Sequence, residues 1–202
     1  MAYIGLRHVV AAPIEAETAG TMPTYGTGVL VGRAMMANVN FDRADVTLEA
    51  DDTTVESDNS IVGGNVQLGI DDLLDEARVA LLGDKAVEGE EGSYDEIGKA
   101  APYVGIGYVR QRVYNGKTSY RAMWIIKTQF GGADENAQTK GRTTNFQTPT
   151  INGSIMGVQL EDGEMHFRRR SKFFDKASEA IAWVNNLANY TEPTAAAASQ
   201  DV

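Results

Sequence analysis

Short runs of β-branched and apolar residues, punctuated by Gly, Pro, Asn and Asp, recur along the chain, and an apolar stripe at helical spacing occurs twice. Strands are predicted over Tyr3 to Val10, Gly26 to Phe41, Asp45 to Glu49 and Val62 to Ile70, with Gly28 and Gly32 interrupting the second. Ala11 to Tyr25, broken by Pro13, Gly20 and Pro23, reads as a loop. Asp51 to Ser60 has little to bury and reads as either an extended hairpin arm or a mobile loop. A first helix is expected after Asp71 or Asp72 as cap, with Asp75 and Glu76 in its early turns and Gly83 as its stop. Its stripe is Leu73, Leu74, Ala77, Ala80 and Leu81. Asp84 to Ala101 has no periodicity and reads as a long acidic loop.

The strongest local signal is a hairpin. Tyr103 to Tyr114 and Lys117 to Phe130 flank Asn115-Gly116, a pair suited to the two positive-φ positions of a type I′ turn. That turn sets Tyr114 opposite Lys117, Gly107 opposite Trp124, Ile106 opposite Ile125 and Gly105 opposite Ile126. Both faces are apolar near the middle, so the hairpin is expected to be buried on two sides, by the fold or by the fold and a neighbouring subunit. Later strands are predicted at Arg142 to Ile151, Ser154 to Leu160 and Glu164 to Arg168. Ser171 is the expected cap of a second helix with the stripe Phe173, Phe174, Ala177, Ile181, Val184 and Leu187 or Ala188. The fold class is mainly β (α+β), with one domain over residues 1–190 and a flexible or partner-ordered tail over 191–202. Candidate core positions are Gly107, Trp124, Ile125, Phe146, Phe174 and Ile181.

Charge is unevenly placed. Residues 1–100 hold 6 Lys/Arg against 19 Asp/Glu, net −13, while residues 101–202 hold 12 against 9, net +3. Such segregation fits one copy laying an acidic surface on another copy's basic surface, or an acidic wall facing something it must not bind. The chain has 202 residues and no cysteine, which removes disulfides, thiolate nucleophiles and thiolate metal sites. No apolar run is long enough to span a bilayer and the opening residues do not read as a signal peptide, so the expected place of synthesis and folding is the cytosol.

Chemistry-bearing patterns are sparse. His8 and His166 stand alone on strands, without metal-ligand spacing. Ser154 lacks the Gly-x-Ser-x-Gly elbow and reads as a turn residue. Gly26 to Gly32 has neither the glycine spacing nor the following helix of a phosphate loop. The acids between Asp42 and Asp58 do not match a calcium loop. Arg168-Arg169-Arg170 with Lys172 forms a basic patch too isolated for nucleic-acid binding and better suited to an intersubunit salt bridge. Asp51, Asp52, Glu56, Asp58, Arg168, Arg169 and Arg170 are therefore the candidate contacts between subunits.

Five segments in order resemble those of the major tail proteins of long-tailed phages and prophages, the phi13-type group. They are Tyr3 to Arg7, Glu49 to Asp52, Leu68 to Leu73 with the helix ending Leu82-Gly83, Ala101 to Tyr108, and Thr144-Asn145-Phe146-Gln147-Thr148-Pro149-Thr150-Ile151-Asn152-Gly153, followed by a helix holding Ala182-Trp183-Val184. The resemblance covers about Tyr3 to Tyr190; the stretch Ala11 to Tyr25 and the alanine-rich end depart from it. It implies a β-sandwich or barrel-like domain flanked by a helix, a structural virion protein of the tail that assembles in the host bacterial cytoplasm. Hexameric rings would stack into a hollow tube, and an acidic lumen would let DNA pass without specific binding. Implied partners are further copies of the chain, the tape measure and the tail terminator or tip proteins; no cofactor, metal or catalytic residue is implied. A ligand-binding β-sandwich and a hydrolase with paired acidic residues are the alternatives.

Overall fold

The computed structural model describes residues 2–50, 53–90, 92–95, 100–134, 148–159, 165–166 and 169–192. In chain order these form β1 (Ala2–Ala16), β2 (Thr24–Tyr25), β3 (Val29–Gly32), β4 (Ala34–Arg43), β5 (Val46–Ala50), β6 (Thr53–Asp58), β7 (Ile61–Ile70), α1 (Asp75–Leu82), β8 (Lys85–Ala86), β9 (Tyr94–Asp95), β10 (Tyr103–Tyr114), β11 (Lys117–Asp134), β12 (Thr150–Ile155), β13 (Val158–Gln159), β14 (Met165–His166), β15 (Arg169–Phe174) and α2 (Ala177–Ala188). The protein is mainly β, with one large antiparallel sheet and two helices.

Pairing runs β2–β1–β10–β11–β12–β7–β4, and β3, which leads into β4 across Arg33, pairs with the other edge of β1. The stretch 29–43 thus holds β1 with its first part and β7 with its last, and the sheet closes on itself as a barrel. Gly32 makes the break between β3 and β4: its φ is 148°, and a side chain there would run into the carbonyl oxygen of Asp72.

Two cores lie on the two faces of the same strands. Inside the barrel, Val9, Leu68, Ile106, Ile125 and Ile151 pack with Leu73, Ala77 and Leu81, which bring α1 over one end. Outside, Val10, Val109, Ala122 and Trp124 lie beneath Ala180, Val184 and Ala188 of α2, an i, i+4, i+8 stripe. Successive residues point to opposite faces, so residues 9–12 of β1, 104–109 of β10 and 122–126 of β11 read as unbroken apolar runs because both faces are covered there. The middle of the hairpin is therefore buried on its two sides by the fold itself. Beyond the barrel, the first half of β1, the second half of β10, the first half of β11 and β15 continue as a four-stranded extension.

The β10–β11 turn is as its sequence suggests: φ is 47° at Asn115 and 73° at Gly116, and Tyr114 pairs with Lys117, Gly107 with Trp124 and Ile106 with Ile125. The expected Gly105–Ile126 pair does not form, because the ladder slips by one residue and Val104 opposes Thr128. Trp124 spans both glycines: a Cβ would come 2.5 Å from its ring at Gly105 and 2.7 Å at Gly107.

Several element boundaries differ from expectation for local reasons. Ala11 to Ala16 is strand rather than loop: Ala11 and Ala12 are wholly buried, and the Pro13 carbonyl accepts the Gly26 amide at 2.9 Å. Asp71 does not cap α1; its carboxylate accepts the amides of Arg33 and Asp72, and the helix starts after Leu74 without a side-chain cap. Within the expected acidic loop, β8 and β9 pair as a small ribbon. β12 runs through Asn152-Gly153 where a break was expected, since Gly153 lets the Phe130 ring approach to 2.8 Å of where a Cβ would stand. Ser154 accordingly lies in a strand, not a turn. Ser171, Phe173 and Phe174 belong to β15 rather than to the second helix, because residues 169–174 pair with β11.

Candidate functional site

An acidic arm continues the β4–β7 hairpin. Arg43 pairs with Ile61, the Ala44 amide donates to the Ser60 carbonyl at 2.8 Å, and Val46 then pairs with Asp58 to begin the β5–β6 ribbon. β5 and β6 pack chiefly against each other. The polar stretch after Glu49 is thus the hairpin arm rather than the loop. Residues 45–58 include six Asp/Glu and no Lys/Arg. Register places Glu56 and Asp58 on one face with Val46, which is 62% exposed. Asp51 and Asp52 lie outside the described residues.

An arginine face occupies the sheet extension. Arg110 pairs with Arg121, Arg121 with Phe173, and Ile125 with Arg169, so alternation carries the inward face of the barrel strands outward into Arg110, Arg112, Arg121 and Arg169. Aromatic rings separate the guanidinium groups: Arg110 lies 4.2 Å from the centre of Tyr3, Arg112 5.0 Å from Tyr114, Arg121 5.1 Å from Phe173 and Arg169 5.3 Å from Phe41. Arg121 also donates to the Tyr3 hydroxyl at 3.1 Å and to Ser171 Oγ at 2.9 Å. Among the described residues none of these four arginines pairs with a carboxylate, and the Nε atoms of Arg112 and Arg121 are buried without a hydrogen-bond partner. Like charges directly opposite on a strand pair repel, so the face carries a standing electrostatic cost.

The opposite face of the sheet is built around Trp124. Its indole N–H donates to the Tyr25 hydroxyl at 3.2 Å, which donates in turn to the Ile126 carbonyl at 2.8 Å, with the two rings edge to face. Burial pushes the Tyr25 phenol up to about 12, against the opposing pull of the Trp124 hydrogen bond and the Arg170 charge. His8, at φ 57° in a bulge of β1, meets Asn185 Oδ1 at 2.6 Å and ties the strand to α2. Lys127 pairs with Glu17 at 2.5 Å.

The basic patch expected at Arg168-Arg169-Arg170 is divided by strand alternation. Arg169 joins the arginine face, whereas Arg170 pairs with Trp124 and lies on the α2 face with Lys172, which sits over Phe174. Arg168 is outside the described residues. Of the core candidates, Trp124 and Ile125 are wholly buried, Gly107 lies beneath Trp124 and Val184, and Phe174 and Ile181 pack partly buried against the α2 core. Phe146 is outside the described residues. His166 lies in β14, paired with Val158. Arg110, Arg112 and Arg121 were not singled out from the sequence; their signal is the alternation Arg110-x-Arg112 on one hairpin strand and Arg121 on the other, which registers 110 against 121. Among the described residues no three His, Cys, Asp or Glu side chains converge as metal ligands. Compared with family models and with curated proteins, the chain has no match.

Proposed function

We propose that the protein is a self-assembling structural subunit, the major tail protein of a long-tailed phage or prophage, whose rings stack into the conduit for DNA. The observation that carries this reading is a closed barrel bearing a sheet extension with unpartnered edges. Among the described residues, β15 pairs only with β11, the first half of β1 only with β10, and the later part of β4 only with β7. Such edges invite further strands from other chains. Their chemistry favours unlike pairing: β15 holds Arg169, Arg170 and Lys172 within six residues, so two copies of β15 side by side would oppose cations, whereas β4 carries Asn38, Asn40 and Asp42. Joining unlike edges is a heterologous contact, and heterologous contacts generate rings or filaments rather than two-fold dimers. The resemblance in the segments around Leu68 to Leu73 and Ala101 to Tyr108 supplies the particular assembly. DNA would pass freely only where Lys and Arg are kept from phosphate, so the arginine face must be covered by protein in such a tube. Negative-stain electron microscopy with analytical sedimentation tests the proposal. Rings or tubes of uniform diameter are expected, and a monomer at every concentration reached would refute it.

A further inference from the structure

We infer that the arginine face of one copy is the docking surface for the acidic β5–β6 arm of a neighbouring copy of this chain, standing beside it in the same orientation. This rests on the assembly reading above and names its contact. The arm offers six acids and no base over residues 45–58, and its acids Glu56 and Asp58 share a face with exposed Val46. The receiving surface offers the same two chemistries in complement: four guanidinium groups without carboxylate partners among the described residues, set among Tyr3, Tyr114, Phe173 and Phe41. An acidic ribbon laid there would relieve the repulsion between Arg110 and Arg121 and give the guanidinium groups carboxylate partners.

The topology decides which copies meet. β7 runs from the arm at Ile61 to α1 after Ile70, whereas β10 runs from the α1 end at Tyr103 toward Arg110 and Arg112. Arg169 lies over Phe41, two residues before β4 ends at the arm. Arm and arginine face therefore share one end of the barrel. Copies with a common orientation bring them together only laterally, within a ring, and not across stacked rings. Nucleic acid is the competing polyanion for the face, and the experiment separates the two.

Charge exchange is the test. Glu56→Lys/Asp58→Lys reverses the two acids that share a face with Val46 and takes the arm from −6 to −2, and Arg112→Glu/Arg169→Glu takes the face from +4 to 0. Each variant alone should raise the concentration at which copies associate by roughly tenfold or more, since like charges across an interface cost several kcal/mol. Mixing the two should restore association, because the introduced lysines then meet the introduced glutamates while the native arm of the face variant meets the native arginines of the arm variant. If the face variant does not fold by circular dichroism, Arg169→Gln with the arm variant carries the same test through the loss of association alone. The chain lacks cysteine, so Val46→Cys mixed with Phe173→Cys gives a unique disulfide product where the arm seats as inferred. An arm variant that assembles like the parent, a mixture that fails to recover although both variants fold, or low-salt DNA retention abolished by the face variant while the arm variant leaves association intact would each overturn the inference. A parent that forms tubes in any of these cases leaves the tube reading standing. Recovery in oligomers that never become rings or tubes would uphold the contact and sink the tube.

Discussion

Replacing Trp124 by alanine should be the most damaging single truncation in the outer core. The indole is wholly buried between β10 and α2, covers Gly105 and Gly107, and is hydrogen-bonded to Tyr25. Burying an aromatic side chain removes about 150–250 Å² from water, which at about 25 cal/mol per Å² is worth roughly 4–6 kcal/mol. Large-to-small core substitutions of Trp and Phe cost about 3–5 kcal/mol, the lower figure reflecting partial collapse of the cavity. For a chain of this size each kcal/mol lowers the melting temperature by about 2–4 °C, so a fall of roughly 10 °C or more is expected. A second substitution makes the test specific to the geometry. Gly105→Ala places a methyl 2.5 Å from both the Trp124 and Tyr25 rings and should cost about 1–3 kcal/mol in the parent. In the Trp124→Ala background half of that obstruction is gone, so the Gly105→Ala penalty should shrink. Circular dichroism melts of the four proteins read both numbers. A shift below about 3 °C for Trp124→Ala, or strict additivity of the pair, would refute the placement of the indole over the glycines.

Two further outcomes rest on the same packing. The Tyr25 phenol keeps its proton to about 12 in the folded chain but titrates near 10 once unfolded, so its stabilisation, about 2–3 kcal/mol, is full below pH 10 and lost as pH rises to 12; urea titrations at pH 9.5 and 11.5 should show this fall, diminished in Tyr25→Phe. Excising residues 46–58 should leave the melting temperature within about 2 °C of the parent, because the arm packs chiefly on itself, while sedimentation should show association lost.

The fold was legible where one residue type answers to one geometry. Asn115-Gly116 fixes a turn with two positive φ values, and the turn then fixes the register of the strands on either side. It was less legible where a neighbour decides. Ala11, Ala12 and Pro13 carry weak strand signals, yet β2, β3 and β10 flank that strand on both edges and hold it extended to Ala16. Phe173 and Phe174 fit a helical stripe as well as a strand; only the partner β11 settles that they stand on opposite faces. The candidate contacts divide in the same way. An acidic arm is a property of contiguous residues and can be read from composition. The arginine face gathers Arg110, Arg112, Arg121 and Arg169 from three strands, and no contiguous window holds them; the run Arg168-Arg169-Arg170 was visible as a patch, but alternation sends its described members to different faces.

Segregation of charge along the chain also sets an orientation in the proposed assembly. The end closed by α1 exposes Asp71, Asp72, Asp75 and Glu76, with Glu88, Glu90 and Asp95 on the neighbouring β8–β9 segment, against Lys85 and Arg33. The other end carries the arginine face. Two α1 ends brought together would oppose acids, whereas an α1 end against the far end of a neighbour meets Lys117, Arg170 and Lys172, exposed cations of the sheet extension that lie outside the arginine face. Each exposed pair contributes only about 1 kcal/mol at contact distance in water, but a ring presents the same pair once per subunit and the preference accumulates. Charge then selects stacking with one polarity, and it does so through a field screened over about 8 Å at physiological salt, so orientation is chosen at close approach while apolar burial holds the result.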